Sequence, residues 1–320
     1  MAAAPPGHKD LWLFLGLTYV LGWSLLLLIP LLGLEPASRA ASILVVLYGF
    51  APAFSTWLVE RVAFFRPELA ARTGLNARVD GIRMGGWFAL GWFGTPLVLI
   101  AALVISGAMG GLHLDLETFP TLRAAMEASP ELFGDRTPRD VFISNVVSAL
   151  VLGPIVSVFY VFGAEWGFRG WLLPRLWVSH GPWKALLGHG LLMGLWMLPL
   201  ALVGLRAPGA PLLGAGMLLV HTVLLGLVLG WMRLSTGSIW PGVVAQGSIF
   251  ALTGVLTHLQ VPDAPVDPLL AGFSGLPGLL LLALLSVLLL VLRRLPCPPP
   301  PAPLPGDGWA STSSSAPVGS

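Results

Sequence analysis

Glu165 and Arg169 stand four residues apart at the end of a long apolar run, in the stretch GAEWGFRGWLLPRL that spans residues 163–176. At that spacing a carboxylate and a guanidinium share one helical face and neutralise each other. A charge deep in a membrane costs roughly 2.5 to 3.5 kcal/mol on insertion scales, so an ionisable pair there marks a functional site by default. The competing reading is a structural clamp. Removing one partner of a buried pair strands the other at about 3 to 5 kcal/mol, so the pair persists whether or not a reaction uses it.

The elements that must position this pair are membrane helices. The chain has 320 residues, 56% hydrophobic and 10% charged, where a soluble domain carries about 25% charged residues. The expected fold class is therefore all-α, a polytopic membrane protein with about eight transmembrane helices. Runs long enough for a hydrocarbon core cover 11–34, 41–59, 87–106, 141–162, 185–205, 212–232, 239–257 and 276–292. The fourth leads straight into the motif. Pro52 lies inside the second, where neighbouring groups can take up the carbonyl it frees. Gly190 with Gly194, and Gly226 with Gly230, are GxxxG pairs that let helix backbones approach closely, and they read as packing. Trp12, Trp87 and Trp240 near span ends suit an aromatic belt.

Three regions follow. Residues 1–10 form a short polar lead, 11–295 a transmembrane helical domain with its motif core at 141–257, and 296–320 a Pro-, Ala- and Ser-rich tail expected to be disordered. The first apolar segment is too long for a signal-peptide core and reads as a retained span. With eight spans, one side collects twelve Lys and Arg residues and the other five, which places both termini in the cytoplasm, with the bacterial cytoplasmic membrane as the expected location. Cys297 is the only cysteine, which excludes an intramolecular disulfide framework and a cysteine-based zinc site. A net charge of +2, with basic residues spread among loops, sets nucleic acid aside as a partner. HExxH, GxSxG, Walker-type and dinucleotide fingerprints are missing.

The motif resembles the first signature of the CAAX-protease and bacteriocin-processing family, the Abi family of intramembrane metalloproteases. Members carry a Glu-Glu pair, then Arg four residues after its second Glu, then Gly; here Glu165, Arg169 and Gly170 match. GLWMLPL at 194–200 looks like the second signature, in which histidine normally follows the position of Trp196. GWMRLSTGSIWPGVVAQGSIF at 230–250 looks like the third, a Gly-Ser turn before a helix carrying His and, four residues later, Asn or Asp. The resemblance implies peptide-bond hydrolysis by a water activated by the first Glu and assisted by the histidines and the Asn, with a divalent metal implicated. In this chain those four positions hold Ala164, Met197, Gln246 and Phe250. Alanine accepts no proton, methionine offers a soft thioether, glutamine does not titrate and phenylalanine is apolar.

The expected function is thus a catalytically degenerate protease that binds peptides or membrane partners amid membrane lipid. Its site is framed by the motif remnants Glu165 and Arg169, and it takes no cofactor. An alternative is an active metalloendopeptidase whose site has moved to Glu165, His189 and His221, a two-His, one-carboxylate set suited to zinc if the helices converge. A third reading is a small-solute transporter, against which the lack of repeat symmetry stands.

Overall fold

A computed structural model describes residues 8–36, 38–76, 81–203, 210–261, 264 and 266–296. Arg78, Arg206, Cys297 and the tail after Pro296 lie outside the described residues. Among the described residues the protein is helical, with one isolated antiparallel bridge, Leu114 to Gln260. Six helices are long and apolar enough to cross a membrane: α1 (Lys9–Leu31), α2 (Arg39–Ala63), α3 (Gly81–Ala108), α8 (Pro182–Leu202), α9 (Pro211–Thr236) and α10 (Trp240–Leu259). This is an all-α integral membrane protein.

The other two expected spans are built differently. The fourth breaks into α4 (Pro138–Val151), α5 (Gly153–Val156) and α6 (Val158–Ala164), which continues through a π-helical segment (Glu165–Leu172) into α7 (Leu173–His180). Pro154 causes the first break, because it has no N–H to give to the carbonyl four residues earlier. That carbonyl, on Leu150, is taken by the Trp92 indole N–H at 2.5 Å. Gly153 and Gly247 let the broken segment lie against α10: a Cβ on Gly247 would stand 2.8 Å from the Pro154 carbonyl oxygen. The eighth run forms α11 (Leu276–Val291), whose 16 residues fall short of a full span.

The two GxxxG pairs face each other between α8 and α9. A Cβ on Gly190 would lie 2.8 Å from Val223 Cα, and one on Gly226 would lie 3.2 Å from Gly190 Cα. With lipid on every side there is no hydrophobic drive between helices, so close backbone approach is what joins them. Helices α1 and α2 attach to α8 through aromatic side chains with polar tips. Tyr19 donates to the Leu192 carbonyl at 2.6 Å, while Trp23 and Tyr48 both donate to the Trp196 carbonyl at 3.1 Å. Tyr48 also stacks on the Trp196 ring, 4.0 Å between centroids.

Loops gather at two ends as the alternation of spans requires. At one end the Ile239 N–H donates to the Gly74 carbonyl at 2.9 Å, and the Trp240 indole to the Leu75 carbonyl at 2.8 Å. At the other, the loop after α3 meets the end of α10, the Asp115 N–H donating to the Leu259 carbonyl at 2.8 Å. Trp12 is exposed, as a belt residue should be, whereas Trp240 is half-buried in these loop contacts.

Candidate functional site

Glu165 and Arg169 lie in the π-helical segment, both buried, and Arg169 Nη1 donates to Glu165 Oε1. Single π-helical turns recur at functional sites because they re-aim side chains that a regular helix would hold elsewhere. Packing on one side fixes where the segment sits. Gly163, Gly167 and Gly170 recur at helical spacing and face backbone: a Cβ on Gly163 would press on the Gly49 carbonyl and lie 2.8 Å from Phe50 Cα, one on Gly167 would lie 2.9 Å from the Pro52 carbonyl carbon, and one on Gly170 2.7 Å from the Thr73 carbonyl oxygen. The motif helix is thus seated directly on the α2 backbone.

That seat predicts a measurable asymmetry among glycines. Gly163→Ala should destabilise the purified protein by about 1 to 3 kcal/mol, the usual cost of overpacking. Gly16, on α1, has open space around it, so Gly16→Ala should melt with the unmodified protein or slightly above it. Equal melting temperatures for the two variants in detergent would dispose of the close seat.

On its other side the carboxylate meets α10. A Cβ on Gly242 would stand 2.7 Å from Glu165 Oε2, and one turn further on the Gln246 side-chain amide lies within reach of the same carboxylate. Oε2 has no hydrogen-bond partner among the described residues. Ala164 and Met197 pack in one apolar cluster with Phe168, Trp171 and Trp196. Phe250 stands further out: it is 46% exposed and stacks on Tyr160, 4.8 Å between ring centroids. The structure thus brings Gln246 to Glu165, puts Ala164 and Met197 into shared packing, and leaves Phe250 on the rim.

His189 and His221 face different neighbours. His189 is buried against the α9 glycines, with its ring 3.4 Å from the place a Gly226 Cβ would occupy, and its Nδ1 is 3.1 Å from the Ala185 carbonyl. His221 meets Phe273 edge-on at 5.0 Å, ahead of α11. Among the described residues no group of three or more His, Cys, Asp or Glu side chains is gathered as a metal site would be. The set Glu165, His189 and His221 is therefore not assembled. The divalent metal implied by the resemblance does not fit the original positions either. Glu165 Oε1 is held by Arg169, Oε2 is the one free carboxylate oxygen, and the other donors are a thioether and an amide, so a hard or borderline cation would find a single good ligand there.

A second charged cluster, which the sequence reading missed, anchors the far end of the motif helix. Glu60, at the end of α2, is fully buried and accepts from four donors: Arg175 at 2.6 Å, Arg66 at 2.8 Å, the Trp171 indole at 2.8 Å and Arg72 at 3.2 Å. Asp10, buried at the start of α1, accepts from Arg66 at 3.0 Å. The Arg175 guanidinium lies 4.0 Å over the Trp171 ring. Burial pushes Arg175 down to about 10, with Glu60 opposing it, so it stays charged at neutral pH. For Arg66 burial also lowers the pKa, but Glu60 and Asp10 outweigh it and leave it raised. The cluster joins α1, α2, the loop after α2 and the motif helix.

A comparison with known families bears on the same stretch. Residues 144–252 match the family model described as type II CAAX prenyl endopeptidase Rce1-like. That stretch of the chain is similar to the Rce1-like family. It begins within α4 and ends within α10, so the Rce1-like segment contains the motif helix, α8, α9 and the glutamine at Glu165. None of the curated proteins compared matches the chain.

Proposed function

We propose that this protein is a catalytically degenerate CAAX-type intramembrane protease, which holds a peptide, a lipidated segment or another membrane protein between the motif helix, α8, α9 and α10 without cutting it. One observation carries the reading: the carboxylate that the motif keeps, Glu165, is buried and bound to Arg169, and α10 meets it with Gly242 and, one turn on, the non-titrating Gln246. Hydrolysis of a peptide bond needs a group that takes a proton from water near neutral pH. Gln246 does not titrate, Ala164 and Phe250 have no polar side-chain atom, Met197 offers sulfur, and the Glu165 carboxylate is bound to Arg169. What remains is a frame with an apolar rim, Met197 half-buried and Phe250 exposed. Such a rim suits an apolar or lipidated ligand better than a hydrated one.

Purified protein in detergent, incubated with prenylated and transmembrane peptides, should release no more product than a protein-free control, and Glu165→Gln should leave that unchanged. The same peptides, fluorescently labelled, should bind saturably. Cleavage that disappears in Glu165→Gln would overturn the degenerate reading. Near-stoichiometric zinc per chain, lost in His221→Ala, would support the relocated metal site in its place.

A further inference from the structure

The buried cluster at Glu60 changes the charge of the surface above it. Among the described residues the acids at that end of the bundle are Asp10, Glu60 and Glu68. The first two are enclosed with Arg66 and Arg175, and Glu68 is near Arg72. Lys9, Arg61, Lys184, Arg293 and Arg294 are all exposed at that end, and none has an acidic partner among the described residues. Arg83 is exposed there as well. The opposite end has the reverse balance, seven exposed acids against four arginines among the described residues.

Aromatic side chains accompany the cations. Trp12 is 67% exposed beside Lys9, and Phe65 is 80% exposed beside Arg66, whose guanidinium lies 4.7 Å over the Phe64 ring. Phe65 adopts a φ of 50°, in the left-handed region, so the chain turns there and carries the ring off the end of α2. Amphipathic rings at a span end sit at headgroup level, and cations beside them meet the phosphates of that leaflet. With Asp10 and Glu60 enclosed below it, the rim keeps a surplus of exposed cations over its one exposed described acid, Glu68, and draws the rest of its counter-charge from outside.

We propose that the rim formed by Lys9, Arg61 and Lys184, with Trp12, Phe64 and Phe65, is a binding surface for the headgroups of anionic phospholipids. The site is separate from Glu165 and does not depend on what the Rce1-like segment binds. Each Lys or Arg near an anionic surface contributes about 1 kcal/mol, so three of them amount to a preference of roughly a hundredfold over a neutral lipid.

The full chain reconstituted into phosphatidylcholine nanodiscs, with and without phosphatidylglycerol, tests this. Phosphatidylglycerol should co-purify with the protein on transfer to detergent and raise its melting temperature. In the Lys9→Gln, Arg61→Gln, Lys184→Gln triple variant the retained lipid should fall about tenfold or more, while the variant's melting temperature in phosphatidylcholine stays that of the unmodified protein. Inorganic phosphate at matched concentration should produce no shift. Equal retention of both lipids, or unchanged retention in the triple variant, overturns the proposal. A matching shift with inorganic phosphate would identify a free-anion site and also overturn it.

Discussion

Glu60→Ala should be the most damaging single substitution in the protein. It removes the acceptor shared by Arg66, Arg72, Arg175 and the Trp171 indole. Breaking a buried ion pair by deleting one partner costs about 3 to 5 kcal/mol because the other charge is left uncompensated. Here three guanidiniums lose their partner, and Asp10 can compensate only Arg66 and Arg175. The loss should appear as a fall in melting temperature on the order of 10 °C, since each kcal/mol moves a domain of this size by roughly 2 to 4 °C. Glu60→Gln keeps the shape and one acceptor but not the charge, and should fall between Glu60→Ala and the unmodified protein. Arg66→Gln should cost less than either, because Arg66 is partly exposed and water can solvate what it leaves behind. A Glu60→Ala protein that melts with the unmodified one would show that the cluster contributes no stability.

The substitution also reaches the candidate site. Trp171 and Arg175 belong to the same helical path as Glu165, six and ten residues further on. Phe14 of α1 stacks on Trp171 at 4.4 Å, so the cluster fixes this end of the motif helix while Gly163 and Gly167 fix its other end against α2. Releasing one end should let Glu165 shift relative to Gly242 and Gln246.

The parts of this arrangement that the sequence makes readable are those with local periodicity. Apolar run length announces the membrane helices, and the spacing of Gly190, Gly194, Gly226 and Gly230 announces the α8–α9 contact that the structure contains. The same reasoning applied to Gly163, Gly167 and Gly170 would have found the packing face of the motif helix, since small residues at i, i+4 and i+7 share a side. It would also have separated the histidines. His221 precedes Gly226 by five residues, which at 3.6 residues per turn turns it roughly 140° away from the face that His189 meets. Gly153 and Pro154 mark the break in the fourth run in the same way.

The Glu60 cluster was not readable, for a physical reason. Its partners lie 6, 12, 111 and 115 residues away, and in sequence each charge looks like an ordinary interfacial residue. Only the convergence of α1, α2 and the motif helix turns them into a buried network.

Glu165 and Arg169 allow a sharper test of whether their pairing is a clamp. Arg169→Leu leaves the Glu165 carboxylate buried, with Oε2 already lacking a partner and Oε1 now lacking one too. The expected loss is again about 3 to 5 kcal/mol, read from thermal unfolding in detergent. The double variant Glu165→Leu, Arg169→Leu should recover much of it, because well-packed apolar residues in place of a buried pair are often neutral or stabilising. Recovery depends on room at the carboxylate, and Gly242 approaches it so closely that a branched side chain there must displace α10 slightly. A Glu165→Ala, Arg169→Leu variant avoids that collision and should recover further. If the pair is a clamp, both double variants stay near the unmodified protein in stability and still bind a labelled prenylated peptide. If they regain stability but lose the peptide, the pair itself contacts the ligand. If neither regains stability, the pair is holding the π-helical segment open, and the wide turn, rather than the ion pair alone, is what α10 packs against.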